Sequence, residues 1–203
     1  MSKHDIYLYN SLTKQKEKFI PLVENNVSMY VCGPTVYDYV HVGNTRPVVV
    51  FDTLRRFFEY LGARVTYVSN YTDVDDKIIE RAQAENVSEE EISTFYIKAF
   101  SDTITQLNAK MPTFTPKATE HIPGMLSFIE TLIKNNSAYI NDGEVFFRVN
   151  KVHEYGALAN INLKALQVGA RVSENTKKEY AHDFLLWKKT DTGISWDASW
   201  GKG

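Results

Sequence analysis

The 203-residue sequence holds a single cysteine, Cys32, and that alone excludes an internal disulfide. Long apolar runs are missing as well. None approaches the roughly 18 residues of a membrane span. The opening stretch MSKHDIYLYN lacks a hydrophobic signal region, so the chain reads as cytoplasmic. Neither sign of charge is in excess, with 23 basic and 25 acidic residues and a net charge of −2. That balance argues against a general nucleic-acid binder, although it leaves room for a local basic patch. Internal repeats and low-complexity tracts are absent too. What is present is 43% hydrophobic and 13% aromatic content, enough to bury the core of one domain or of one domain with a large insertion.

Along the chain, Ile6–Tyr9 and Phe19-Ile20 read as strands around a basic turn, TKQKEK, and Val27–Cys32 reads as a third strand stopped by Gly33-Pro34. After a loop, NTRPVVVFDTLRRFFEYLG carries Val50, Leu54, Phe57 and Leu61 at helical spacing. Pro47 suits its first turn and Gly62 its end. Arg64–Asn70 reads as another strand. Strand, loop, helix and strand make a βαβ unit, which implies parallel strands and a right-handed crossover. A helix capped by Thr72 or Asp73 follows, then a longer one starting near Ser88. MPTFTPKAT reads as a boundary. Beyond it come a helix from about Glu120 to Lys134 and a hairpin turning at Asp142-Gly143, while Lys151–Lys178 is weakly periodic and unassigned. The expectation is an α/β nucleotide-fold half over residues 1–117, then a smaller α+β segment over residues 118–203.

In an open parallel sheet, ligands bind where loops leave the carboxyl ends of the strands. The stretch Cys32–Asn44 is such a loop, and it ends at a helix N-terminus, where phosphate is favoured. There His41 offers a ring donor and Gly43 permits close backbone approach. The acids Asp73, Asp75 and Asp76 are read as serving the helix dipole and solvation. Trp196 and Trp200 are read as packing residues. Lys177-Lys178 and Lys188-Lys189 fit either a solvated face or contact with RNA phosphates.

The stretch YVCGPTVYDYVHVGNTR, continued by FDTLRRFFEYLGARVTYVSNYTDVDDKII, resembles the cysteinyl-tRNA synthetases, which are class I aminoacyl-tRNA synthetases. His41-Val42-Gly43-Asn44 resembles the class signature "HIGH", and YGALANIN and DFLLWKKTDTGISWDASWGKG extend the similarity over nearly the whole chain. The resemblance implies a Rossmann-like parallel sheet with an inserted α+β connective segment. Residues 1–117 would be the N-terminal half of the catalytic domain, and residues 118–203 an insertion leading back toward it. It implies ATP-dependent activation of cysteine to cysteinyl-adenylate and transfer to tRNA(Cys) by a monomeric enzyme, with Mg²⁺ accompanying the ATP. By the same resemblance His41 and Asn44 are catalytic, and with Gly43 they bind ATP. Gly33 and Thr72 contact the amino acid, and Cys32 is one of four ligands of a zinc ion that binds the substrate sulfur. A soft thiolate binds zinc well and a serine hydroxyl poorly, so a metal can discriminate where an apolar pocket cannot.

The family's remaining zinc ligands and its "KMSKS" signature belong to motifs that follow WGKG, and this sequence ends at Gly203. It therefore reads as the N-terminal part of a synthetase, cut within the catalytic fold and inactive alone. One cysteine cannot hold a four-coordinate zinc. Two alternatives accompany this reading: a cysteine–amino-sugar ligase of mycothiol synthesis, which shares the adenylation step, and a non-catalytic nucleotide-binding fragment.

Overall fold

The computed structural model describes residues 5–159 and 177–203. The chain forms two compact units. One comprises Met1–Tyr7 with Lys18–His121, and the other Leu8–Glu17 with Ile122–Gly203. The unassigned stretch Lys151–Lys178 and the end of YGALANIN fall largely outside the described residues.

Near the N-terminus, β1 (Tyr7–Asn10) pairs with β2 (Gln15–Lys18). This corrects the expectation of a turn over TKQKEK, most of which is strand. The reversal occurs earlier because the Asn10 side chain accepts the amide of Leu12, and Lys14 adopts a left-handed φ of 59°. Phe19, expected in a strand, instead packs its ring 5.1 Å from that of Phe58.

In the first unit, Val27, Met29 and Val31 point inward while Ser28 and Tyr30 are exposed, the period-two pattern of β3 (Asn26–Val31). Helix α1 (Val42–Tyr60) carries the chain to β4 (Arg64–Ser69), which pairs with β3 in parallel from Asn26–Arg64 to Val31–Ser69. The helix starts a turn earlier than its sequence indicates, so Pro47 lies inside it. Its buried face also differs: Val50 and Phe57 are 52% and 45% exposed, whereas Phe58 and Asp52 are buried. Polar anchoring sets this rotation. Asp52 accepts the Lys110 amide at 3.0 Å and the Arg56 guanidinium at 2.7 Å, while Arg55 and Arg56 donate to the carbonyls of Met111 and Asn108.

Helix α2 (Asp76–Glu85) is capped by Asp75, not by Thr72 or Asp73, and α3 (Glu89–Gln106) opens on a reciprocal capping box between Ser88 and Glu91. Ile78, Ala82, Ile92, Tyr96, Phe100 and Ile104 from these helices form the core with Val36 and Tyr71. The stretch read as a boundary is structural. It runs parallel to β4, with the amides of Ser69 and Tyr71 donating to the carbonyls of Phe114 and Pro116. Asp73 also departs from the solvated reading: it is buried and accepts both the amide (3.0 Å) and the hydroxyl (2.5 Å) of Thr119.

In the second unit, α4 (Ile122–Lys134) precedes an antiparallel sheet of β5 (Ala138–Asn141), β6 (Glu144–Phe147) and β7 (Phe184–Trp187). Asp142 and Gly143 make the expected turn, both with positive φ. Two short strands, β8 (Asp197–Ala198) and β9 (Gly201–Lys202), pair at the end. Ile129, Ala138, Val145 and Trp187 are the core, with Trp196 and Trp200 packed on it as expected. Asp183 is buried and accepts from the Tyr139 hydroxyl and from the amides of Val149 and Tyr180. Lys177 pairs with Asp142 and Glu144. Among the described residues no helix is long and apolar enough to cross a membrane.

Candidate functional site

Both parallel strands of the first unit release their chains at the same end. β3 delivers Cys32 and Gly33, and β4 delivers Asn70, Tyr71 and Thr72. The two exits are stitched together. The Thr72 amide donates to the Pro34 carbonyl at 3.1 Å, the Val36 amide donates to the Thr72 carbonyl at 3.2 Å, and the Gly33 amide donates to the Asn70 side chain at 3.1 Å. A Cβ at Gly33 would collide with the Asn70 carbonyl, so only glycine fits there.

Over these exits lies the start of α1. His41 is its N-cap, with extended backbone, and its Nδ1 accepts the amide of Gly43 at 3.0 Å; the Asn44 carboxamide accepts the amide of His41 at 3.1 Å. An accepting Nδ1 places the proton of a neutral ring on Nε2, which becomes an exposed donor. The fold of the ring explains Gly43, because a Cβ there would lie 2.7 Å from His41 Cε1. No acidic residue occupies the first turn of this 19-residue helix, so its positive end is not neutralised from within.

A pocket of about 200 Å³ sits between the strand exits and this helix start, lined by Cys32, Gly33, Pro34, Gly43, Asn44, Pro47, Tyr67, Ser69 and Phe100 among others. Four of the residues singled out from sequence thus line one cavity: Cys32, Gly33, Gly43 and Asn44. His41 and Thr72 do not line it, though each is bonded to a residue beside it. Burial pushes the Tyr67 phenol above its ordinary value, and the charge of Asp52 adds to the effect, so this wall of the pocket is a neutral hydroxyl at pH 7.

A model of the family described as "tRNA synthetases class I (C) catalytic domain" matches residues 18–203. The chain belongs to this family. Its relatives include the protein named "Cysteine--tRNA ligase" from Finegoldia magna, 49% identical over 199 residues, and its namesake from Lachnoclostridium phytofermentans, 51% identical over 197 residues. A third, from Staphylococcus haemolyticus, is 48% identical over 199 residues. These alignments take in 97–98% of the chain and 42–43% of each relative, so the chain spans less than half the length of the relatives it matches.

The donor set does not complete a zinc site for this family member. Cys32 is exposed, and among the described residues no three His, Cys, Asp or Glu side chains gather as a metal-binding group. Of the other histidines, His121 is bonded to the Lys117 carbonyl, His182 meets the Tyr180 ring edge-on and His153 is exposed, while His4 lies outside the described residues. Sequence reasoning missed Pro47, Tyr67, Ser69, Asn70 and Phe100. The two on β4 carried a signal, since Tyr67 and Ser69 share one face of the strand by its period of two. Phe100 carried none: it reaches the pocket from α3 only through tertiary packing.

Proposed function

We propose that this chain carries the cysteine- and ATP-binding part of a cysteine–tRNA ligase. The observation that carries the reading is the convergence of Cys32, Gly33, Gly43 and Asn44 on one pocket at the carboxyl ends of parallel strands, under a helix N-terminus without acidic residues. The relatives' name, "Cysteine--tRNA ligase", supports the choice of amino acid. The β3–α1–β4 unit is read as half of a Rossmann-like sheet within residues 1–117, and residues 118–203 as the connective insertion.

In the proposed reaction, a carboxylate oxygen of cysteine attacks the α-phosphorus of ATP. The bond to the β-phosphate oxygen breaks, and pyrophosphate leaves cysteinyl-adenylate behind. The acyl group then passes to a ribose hydroxyl of tRNA(Cys), and AMP departs. No protein nucleophile is needed, so the site works by positioning and by stabilising phosphate charge. The exposed Nε2 of His41, the first-turn amides of α1 and the Asn44 side chain are the donors offered to the triphosphate. A phosphate oxygen at Gly43 takes the place of His41 Nδ1 at that amide, which frees the ring to turn toward the nucleotide. Gly33 and Thr72 face the amino acid. Mg²⁺, when bound with ATP, screens the triphosphate charge. Cys32 offers one soft thiolate to a zinc ion; the described residues do not supply the other donors, and no step is routed through the metal.

Two measurements test this. Titrating the isotope-labelled chain with ATP and Mg²⁺ should shift the amide resonances of Gly43 and Asn44 before those of α3, and the response at Gly43 should persist in His41→Ala, where no ring competes for that amide. In cysteine-dependent ATP–pyrophosphate exchange by the ligase, His41→Ala should lower turnover by about 10²–10³ with little change in the Michaelis constant for ATP, as loss of one preorganised donor does. ATP shifts confined to other surfaces would refute the reading.

A further inference from the structure

We propose that Asn70 is the positioning residue of this pocket: its carboxamide holds the Cys32–Gly33 turn with one end and orients the Thr72 hydroxyl with the other. The inference rests on the reading of Gly33 and Thr72 as amino-acid contacts, but its structural half stands apart from that reading.

Asn70 follows directly on β4. Its Oδ1 accepts the Gly33 amide at 3.1 Å, and its Nδ2 lies 3.4 Å from Thr72 Oγ1. The orientation of the carboxamide follows from chemistry. A backbone amide only donates, so Oδ1 must face Gly33 and Nδ2 must face Thr72. Nδ2 only donates in turn, so Thr72 receives it on a lone pair and its own hydroxyl proton points elsewhere, free to be donated. The main chain of Asn70 adds a third constraint, because its carbonyl fills the space that a side chain at position 33 would need.

Two consequences sharpen the site. Gly33 does not offer its amide to a ligand, since Asn70 already holds it; the glycine contributes by being small next to Cys32. Thr72 presents a donor, which suits the carboxylate of an amino acid and not its ammonium. One carboxamide thereby coordinates the exits of both parallel strands, 37 residues apart in sequence.

Aspartate in place of Asn70 separates the two halves. It keeps an acceptor for Gly33 but replaces the donor facing Thr72 with an acceptor, which draws the threonine hydroxyl proton toward itself. Amide hydrogen exchange on the 203-residue chain reads the first half. Asn70→Ala should speed exchange at Gly33 by about tenfold, the worth of one lost hydrogen bond, and leave Val65 and Tyr67 on β4 unchanged; Asn70→Asp and Thr72→Val should leave Gly33 as in the parent. If Asn70→Ala fails to fold, the Asp variant decides alone: retained protection of Gly33 supports the role, and lost protection overturns it. An Asn70→Ala chain that folds with unchanged exchange at Gly33 overturns it as well.

Titration with L-cysteine reads the second half. Asn70→Asp should weaken the amide shifts at Thr72 at least about fivefold while Gly33 stays protected. Equal L-cysteine response in the Asp variant and the parent overturns the orientation of Thr72. If Gly33 follows the stated pattern and L-cysteine moves no resonance of the parent pocket, the clamp stands and the amino-acid reading falls.

Discussion

The imidazole Nδ1 of His41 accepts the backbone amide of Gly43 at 3.0 Å, so a residue singled out for chemistry is also the N-cap of the helix that bears the site. Structural and chemical duties meet in one ring. His41→Ala should therefore lower the stability of the first unit by about 1 kcal/mol, the usual cost of a lost cap. His41→Asn, which can cap, should restore most of that. Urea midpoints of the three proteins check it, and an unchanged midpoint for His41→Ala would show that the ring does no capping.

Gly33→Ala should be among the most damaging small substitutions in the first unit. The obstruction is the Asn70 carbonyl, a backbone atom that cannot rotate away. Overpacking of this kind costs about 1–3 kcal/mol, and this site belongs at the upper end. Thermal denaturation of the variant reads the loss directly. A melting temperature equal to that of the parent would mean the two strand exits are looser than described.

A buried carboxylate fastens the stretch after α3. Asp73→Ala removes the acceptor for both the amide and the hydroxyl of Thr119. Leaving a buried donor unsatisfied costs about 1–3 kcal/mol. Thr119→Val, which removes the hydroxyl but keeps the amide bond, should cost less. Reversal of that order in chemical denaturation would show that the hydroxyl carries most of the interaction.

Much of this was legible in the sequence, and the limits have physical causes. β-rich runs marked β3 and β4, Ser88 marked the start of α3, and Asp142-Gly143 marked the hairpin, because each is a local signal that packing reinforces. The rotation of α1 was not legible. Its apolar spacing pointed to Val50 and Phe57, but Asp52, Arg55 and Arg56 hold residues 108–111 and turn the helix elsewhere. Sequence patterns weigh apolar area and are blind to distant carbonyls awaiting donors. In the site, Cys32, Gly33, Gly43 and Asn44 stood out in the sequence and line one pocket, whereas Asn70 was invisible because its partners lie across the two strand exits.

The second unit should lose stability in alkali. Burial pushes the Tyr139 phenol up to about 12; the Glu179 amide opposes this, and the Asp183 carboxylate adds to it. A phenol with a raised value holds its proton more tightly folded than unfolded. Its contribution is therefore complete below pH 10 and is lost as pH rises from about 10 to 12, amounting to about 2–3 kcal/mol at full loss. Denaturant midpoints across that range, with Tyr139→Phe as the flat control, check it. A parallel decline in the Phe variant would assign the effect to other groups.

The parallel alignment of Thr113–Ala118 with β4 also sets an order of assembly. Tyr67 meets Thr113 across 46 residues, and that span contains the whole of α2 and α3. A chain closing so long a loop loses entropy before any contact repays it, and helices that first pack on each other shorten the effective loop. The rung at Thr113–Ala118 should accordingly arrive late in folding and depart early in unfolding. Substitutions there should accelerate unfolding and leave the folding rate nearly untouched, whereas truncations at Ile78 or Phe100 should slow folding. Because Tyr67 and Ser69 both line the pocket and hold this rung, the cavity should take its final shape only when the rung closes.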